Sequence, residues 1–200
     1  MRAVILDTGV ANLSSLAFAV KRLGVEPIIT REAAEIRAAD RIFLPGVGTA
    51  RAAMAAIEER GLADLIREAT QPVLGICLGE QILGRRSEET GGVDLLGLID
   101  ADVRALRADG LPLPHMGWNS LQLTEKGKKH PLFKYSKEGD YVYFVHSFYG
   151  KDCDESLLAT SEYGIPVTAS AANENVMGCQ FHPEKSGEVG LRILKAFSEI

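Results

Sequence analysis

The residue with the clearest chemical potential is a cysteine held between two glycines. In PVLGICLGEQILG, residues 72–84, an apolar run ends at Cys77, with Gly75 and Gly79 two residues to either side. A strand, followed by Gly-x-nucleophile-x-Gly and then by a helix, is the pattern of a nucleophile elbow. A helix N-terminus favours the thiolate, and the N–H of Leu78 then points to an oxyanion formed beside the sulfur. A buried cysteine that only fills core space is the alternative.

A histidine and a glutamate near the C-terminus are the side-chain types that activate a thiol. In GCQFHPEKSG, residues 178–187, a β-rich run ends on His182, a proline stops the strand, and Glu184 follows. A bend brings residues i and i+2 together, so His182 is the candidate base and Glu184 the acceptor for its other ring N–H. The alternative is an exposed histidine followed by a surface glutamate. His115 and His130, in a proline-flanked stretch and a polar loop, are weaker candidates for the base.

A glycine-rich loop offers further backbone donors. LPGVGTA, residues 44–50, follows a predicted strand and precedes a predicted helix, where free N–H groups attract an anion. The loop from Pro45 to Gly48 therefore supplies a second oxyanion donor beside Cys77, from the N–H of Val47 or Gly48. A phosphate-binding loop is an alternative, although the P-loop lysine is missing, and a plain strand-to-helix turn is another.

Strands that alternate with helices position these residues in the first half of the chain. Apolar periodicity predicts strands at 2–6, 27–29, 41–44 and 72–76, and helices at 12–23, 33–38, 50–59 and 62–69. This alternation indicates βαβ units and a parallel sheet covered on both faces. Ligands bind such a sheet beyond the carboxyl ends of its strands, which is where Cys77 lies.

The second half of the chain changes character. It predicts short strands at 102–106, 121–123, 141–145, 157–159, 167–171 and 176–181, and a closing helix at 189–197. Glycine, proline and polar turns separate these strands, which favours antiparallel hairpins on the edge of the same sheet. We therefore expect an α/β fold with an open, mostly parallel sheet flanked by helices and antiparallel strands in the second half. No linker is visible, so residues 1–200 are expected to form one domain.

The composition narrows the function classes. The net charge is −5, and no basic run is longer than Lys128-Lys129, which argues against binding to nucleic acid or an anionic membrane. No apolar stretch approaches the roughly 18 residues of a membrane span, and MRAVILDTG does not resemble a signal peptide, so we expect a cytoplasmic protein. The three cysteines and four histidines lack disulfide or metal-ligand spacing, so a reactive single thiol is favoured over a metal site.

Taken together, GICLGEQ, the downstream HPE and the upstream PGVG resemble the motifs of the class I, or triad, glutamine amidotransferases. Each motif is common alone, but the three in this order and spacing are specific. The resemblance implies hydrolysis of L-glutamine at a Cys-His-Glu triad, through a γ-glutamyl thioester and without cofactor or metal. By motif position, Gly48, Gln81, His146 and Ser147 should line the glutamine pocket. A hydrogen-bonded strand-end histidine is the alternative interpretation of His146.

The similarity extends nearly end to end to one branch of that family, the glutaminase subunits of imidazole glycerol phosphate synthase. It is carried by DTGVANLSSL, RRSEETGGVDLLGLI, LPHMGWNSL, YVYFVHSFY and QFHPEKSG. Thr8, Ala11 and Glu80 depart from the usual aromatic, glycine and apolar residue of this branch, and leave the triad untouched. The resemblance implies a heterodimer with a (β/α)8-barrel cyclase subunit of the HisF type, which receives ammonia for histidine biosynthesis. Trp118 and Tyr143 are candidates for that interface, with ordinary core packing as the alternative.

Three other functions stay open at this point. The chain could serve another acceptor enzyme, as in anthranilate or pyridoxal phosphate synthesis, although PHMGWN and RRSEE favour the histidine branch. A catalytically silent binding module is a second possibility, against which the intact set of Cys77, His182 and Glu184 argues. A stand-alone cysteine hydrolase on a similar sheet often has its histidine directly after the nucleophile, whereas Leu78 follows Cys77 here.

Overall fold

The computed structural model describes residues 1–9 and 11–200, in which fourteen strands form three sheets. The strands are β1 (Ala3–Leu6), β2 (Ile28–Thr30), β3 (Arg41–Gly46), β4 (Val73–Cys77), β5 (Arg86–Ser87), β6 (Val93–Asp94), β7 (Asp102–Ala105), β8 (His115–Ser120), β9 (Gln122–Leu123), β10 (Tyr141–His146), β11 (Phe148–Lys151), β12 (Leu157–Glu162), β13 (Pro166–Asn173) and β14 (Val176–Cys179). The α-helices are α1 (Leu13–Lys21), α2 (Ala33–Arg37), α3 (Ala50–Glu59), α4 (Leu62–Arg67), α5 (Leu78–Gln81), α6 (Glu125–Lys129) and α7 (Gly187–Ser198).

The main sheet has eight strands in the order β2-β1-β3-β4-β14-β13-β12-β9. Strands β2, β1, β3, β4 and β14 run parallel to one another, and β13, β12 and β9 continue the sheet with antiparallel pairings. The expected α/β fold with a mostly parallel sheet and antiparallel strands from the second half is confirmed.

Strand β1 shows why helices cover both faces of the sheet. Its sequence is AVIL, without a polar residue, and all four side chains are fully buried. Ala3 and Ile5 pack in the core cluster that holds residues of α1 and α7, whereas Val4 and Leu6 pack in the cluster under α3 and α4. Successive strand residues point to opposite faces, so a continuous apolar run requires cover on both sides.

Part of the expectation for the second half was wrong. Within the described ranges, strands β7 and β10 do not join the edge of the main sheet: β10 forms a two-stranded sheet with β8, and β7 lies in a four-stranded sheet with β11, β5 and β6. The sequence analysis did not predict β5, β6, β8, β11 or α6. Their segments are two to six residues long and carry glycines or charges, so local periodicity is too weak to identify them.

Local capping fixes where the functional loops begin and end. The side chain of Thr49 accepts a hydrogen bond from the N–H of Ala52 at 3.3 Å, which starts α3 directly after the loop of residues 45–48.

Among the described residues, no helix combines the length and the apolar character that crossing a membrane requires.

Candidate active site

Cys77 lies at a strained turn between a strand and a helix. Strand β4 ends at Cys77, α5 begins at Leu78, and the Cys77 backbone has φ 55° and ψ −113°. A non-glycine residue at positive φ costs on the order of 1–3 kcal/mol, which the surrounding packing has to offset. A Cβ on Gly79 would lie 1.8 Å from the carbonyl oxygen of Leu44, and one on Gly75 would lie 2.6 Å from that of Gly79. The two glycines therefore let α5 pack directly on the strands.

The strand order brings the other motifs to the same edge. Strand β3 pairs with β4 on one side, with Gly46 opposite Cys77, and β14 pairs on the other, with Cys179 opposite Ile76. Parallel strands end at a common edge, so the loop after β3 and the segment after β14 both pass Cys77. The predicted neighbours of the cysteine come from segments that are far apart in the sequence.

His182 and Glu184 form a buried pair beside this edge. His182 Nδ1 and Glu184 Oε1 are 2.7 Å apart, and the side chains are only 6% and 5% exposed. Pro183 begins a one-turn 3-10 helix that places Glu184 back against the imidazole. The backbone is also fixed, because Ser186 Oγ donates to the carbonyl oxygen of His182 at 2.6 Å.

The charge state of His182 follows from three influences. Burial lowers the pKa of His182, but the hydrogen bonds and charges of Cys77 and Glu184 outweigh it and raise the pKa to about 9. Cys77 Sγ lies 3.8 Å from the carbonyl oxygen of Val145. Gln180 Nε2 donates a hydrogen bond to the same sulfur atom at 3.8 Å. A protonated imidazole beside the sulfur is the arrangement that favours thiolate.

A cavity of about 460 Å³ opens over the cysteine. Eight of the residues that the motifs identified line this cavity: Cys77, Leu78, Val47, Gly48, Gln81, His146, Ser147 and His182. Glu184 does not line this cavity, since it lies behind the imidazole and borders a smaller recess with Asn12. The cavity volume is large enough for a small-molecule ligand the size of an amino acid.

Gln81 is held in place on the cavity wall. Its Nε2 donates to the carbonyl oxygen of Phe148 at 2.8 Å and to Oε1 of Gln180 at 2.8 Å. Gln81 lies one helical turn beyond Cys77, so both side chains face the same region. Gln81 is only 6% exposed, and these two hydrogen bonds fix the orientation of its buried amide.

Glu89 and Lys185 also line the cavity, and the sequence analysis did not select them. Glu89 Oε2 accepts from the N–H of Ala50 at 2.7 Å, which ties the segment after β5 to the start of α3. Arg51 donates to the carbonyl oxygens of Thr90 and Gly92, at 3.0 and 2.9 Å, and holds the same segment. Glu89 lies in the stretch RRSEETGG, but the local sequence does not indicate that this loop contacts the end of the loop at residues 45–48.

The two candidates for an interface lie outside this cavity. Trp118 and Tyr143 are directly opposite each other on β8 and β10, with ring centroids 6.1 Å apart. Trp118 is 55% exposed, whereas Tyr143 is half-buried. Met116 on the same face of β8 is 60% exposed, so Met116, Trp118 and Tyr143 form an apolar patch on this face.

Glu80 is buried, and it is not the carboxylate that contacts His182. Its side chain packs against Gly178, where a Cβ would lie 2.1 Å from Glu80 Cγ, and none of the described residues forms a hydrogen bond with its Oε2. Burial raises the pKa of Glu80 to about 8. The carboxylate that contacts the His182 imidazole is that of Glu184. In the described ranges, no group of three or more His, Cys, Asp or Glu side chains is placed to hold a metal ion.

Comparison with known proteins identifies the family. The class-I glutamine amidotransferase family matches residues 4–199. The chain is 54% identical to the imidazole glycerol phosphate synthase subunit HisH of Salmonella typhimurium, and 52% identical to those of Pectobacterium atrosepticum and Escherichia coli, over 100% of each chain. A solved glutamine amidotransferase superposes with a TM-score of 0.75 at 19% identity, over 98% of this chain and 97% of the other. A glutamine amidotransferase from Thermotoga maritima gives 0.64 at 16% identity, over 100% and 84%.

The chain therefore belongs to the class I glutamine amidotransferases. Its identity to the full-length relatives shows the branch as well. Within the class it is a HisH-type subunit of imidazole glycerol phosphate synthase, and hence an enzyme subunit.

Proposed function

We propose that the chain hydrolyses L-glutamine with Cys77 as nucleophile, His182 as proton carrier and Glu184 as the residue that orients the imidazole. The Cys77 thiolate attacks the side-chain amide carbon, and the new oxyanion accepts hydrogen bonds from the N–H of Leu78 and of Val47 or Gly48. His182 gives its proton to the departing ammonia, which leaves a γ-glutamyl thioester. His182 then takes a proton from water, the hydroxide attacks the thioester, and glutamate and the thiolate are released.

One observation carries this proposal. The His182–Glu184 pair, 2.7 Å apart and buried, lies at the same sheet edge as the strained Cys77 elbow. A cysteine that only filled core space would need neither a positive φ nor an adjacent charged imidazole. The combination supports an activated thiol, as the mechanism requires.

The cavity lining supports glutamine as the substrate. The chain segment at His146 and Ser147 offers backbone groups to the α-amino and carboxylate ends, and Gln81 and Gly48 border the side-chain amide. Glu89 adds a carboxylate to the same cavity, which complements the α-ammonium group of an amino acid.

We further propose a heterodimer with a (β/α)8-barrel cyclase subunit. The exposed apolar patch of Met116, Trp118 and Tyr143 is the surface that we assign to this partner. Ammonia would pass inside the complex to the cyclase, which uses it on a phosphoribulosyl-formimino intermediate to make imidazole glycerol phosphate and an aminoimidazole carboxamide ribotide. We place this chemistry in the cytoplasm, a reducing compartment that keeps Cys77, Cys153 and Cys179 as free thiols.

Glutamate release with and without the cyclase subunit and its nucleotide ligand tests the proposal. We expect the isolated chain to be nearly idle, because ammonia released without an acceptor is lost, and the complete complex to be active. Full turnover by the isolated chain would contradict the dependence on a partner. No glutamate from either preparation would contradict the glutaminase assignment itself.

A further inference from the structure

Two buried histidines next to the cavity form a pair that the triad does not use. His115 and His146 are opposite each other at the ends of β8 and β10, and are 2% and 5% exposed. His115 Nδ1 and His146 Nε2 are 2.9 Å apart. Burial lowers the pKa of both residues to about 4, so both rings are neutral at pH 7.

The partners at each end determine which nitrogen carries each proton. His146 Nδ1 lies 2.9 Å from the carbonyl oxygen of Phe148, which only accepts, so this nitrogen must be protonated. His146 Nε2 is then an acceptor, and His115 Nδ1 must donate to it. His115 Nε2, left as an acceptor, lies 3.3 Å from the amide nitrogen of Asn119, which donates. One direction of donation, from Asn119 through His115 and His146 to Phe148, therefore satisfies every atom.

Aromatic rings hold His115 in this orientation. Its ring stacks on Phe144 with a centroid separation of 4.7 Å and an interplanar angle of 20°, and on Tyr163 with 4.0 Å and 22°. A ring packed against aromatic rings in this way cannot rotate without breaking the stacks. The stacking thus fixes the plane in which His115 Nδ1 meets His146.

This series of hydrogen bonds ends on a backbone atom of the active site. The carbonyl oxygen of Phe148 accepts from His146 and also from Gln81 Nε2, the latter at 2.8 Å. Gln81 in turn bonds Gln180, whose Nε2 donates to Cys77 Sγ. We propose that His115 is a positioning residue for glutamine hydrolysis: by occupying His146 Nε2 it keeps His146 on the Phe148 carbonyl and so holds the wall on which Gln81 is oriented. This inference rests on the proposed glutaminase function.

The same geometry defines what His146 does. Both of its ring nitrogens are engaged within the protein, so neither is available to glutamine or to the thiol in this arrangement. His146 therefore contributes the position of the strand end and of Ser147, while the proton transfers remain with His182.

Two substitutions separate the hydrogen bond of His115 from its stacking, and both are measured in the complex with the cyclase subunit. His115→Phe keeps an aromatic ring but removes both nitrogens, and should lower kcat/KM for glutamine about tenfold, mainly through KM. His115→Asn retains an N–H donor near the position of Nδ1 and should recover most of that loss. His130→Phe is the matched control, because His130 lies outside the cavity and caps only the turn at Leu132; its glutamine kinetics should equal those of wild type.

Ammonia-dependent synthesis by the same complexes shows that folding and assembly are intact, and should not change in any of the three variants. Long-range ¹H–¹⁵N spectra of the wild-type imidazoles should show Nδ1–H tautomers for both His115 and His146. An Nε2–H tautomer on either ring, or unchanged glutamine kinetics in His115→Phe, overturns the positioning role. Cys77→Ala, assayed in parallel, separates the two failures: if it keeps glutaminase activity the proposed function fails, and if it loses activity while His115→Phe does not, only the inference fails.

Discussion

The backbone N–H of His182 donates to the carbonyl oxygen of Tyr143 at 2.9 Å. Ser186 Oγ completes a second link, because it accepts from the N–H of Tyr143 at 2.9 Å and donates to the carbonyl oxygen of His182. The other edge of β10 pairs with β8, which carries Trp118 opposite Tyr143. His182 is thus bonded directly to the strand that carries Tyr143 of the proposed docking patch. A partner that shifts β10 would therefore move His182 together with Val145 and His146, which line the cavity.

Replacement of the nucleophile separates the two halves of the proposed reaction. Cys77→Ala should reduce glutamine-dependent synthesis by the complex by at least about a thousandfold, because no thioester can form. Ammonia-dependent synthesis should stay at the wild-type level, since the cyclase site is untouched. Both rates are measured on the same preparation. Loss of both would mean that Cys77 supports folding or assembly instead.

The second prediction concerns Glu184 and the pKa of His182. Glu184→Gln removes the negative charge that raises this pKa and leaves a neutral amide oxygen as a weaker acceptor, so the midpoint should fall from about 9 toward neutrality, and kcat should fall by about a hundredfold or more. The folded pKa lies above the unfolded value of 6.5, so the stability that the charged pair contributes is present below pH 6.5 and lost as the pH rises through 9. An NMR titration of His182 gives the midpoint directly. An unchanged midpoint would show that the carboxylate does not set the charge of the ring.

The third prediction concerns the buried Glu80. The ordinary pKa of a glutamate is 4.5, whereas burial raises the pKa of Glu80 to about 8 in the fold, so between these pH values only the folded state retains the proton. The free energy of unfolding should therefore fall with rising pH, by up to about 1.4 kcal/mol per pH unit from this group. Glu80→Met removes the ionisable group and should stabilise the protein more at pH 8 than at pH 5.5.

Urea unfolding at the two pH values measures this difference. Glu125→Gln is the matched control, because the Glu125 side chain is 80% exposed and its loss should leave the pH dependence nearly unchanged. Equal effects of the Glu80 and Glu125 substitutions would argue against a protonated carboxyl in the core.

The fourth prediction tests the close packing at the elbow. A Cβ on Gly79 would lie 1.8 Å from the Leu44 carbonyl oxygen, so Gly79→Ala should destabilise the fold by about 3 kcal/mol or more. Gly24→Ala is the comparison, since Gly24 has φ +79° but no atom within 4 Å of the new Cβ, and should cost only about 1 kcal/mol. Denaturant midpoints compare the two. A Gly79 variant no less stable than the Gly24 variant would mean that α5 does not need this approach to β3.

The sequence by itself determined the elements with a strong local pattern and the residues with a motif. The apolar runs of β1, β3 and β4 can be recognised because strands buried on both faces contain almost no polar residues. Cys77, Leu78, His182 and Glu184 stand out because their spacing relative to glycine, proline and strand ends is itself the requirement of the chemistry. The predicted role of each remains a proposal, but its place in the chain needed no coordinates.

Only the tertiary structure decided which distant groups meet. Glu89 reaches the N–H of Ala50, and His115 reaches His146, through contacts between segments that share no local signal. The sequence gives no sign that Glu80 is buried, because it is a single glutamate in a short helix. Its burial depends on how closely α5 packs against Gly178. Strand pairing and packing set these relationships across the whole chain, and a local pattern contains no information about the segment that will lie opposite.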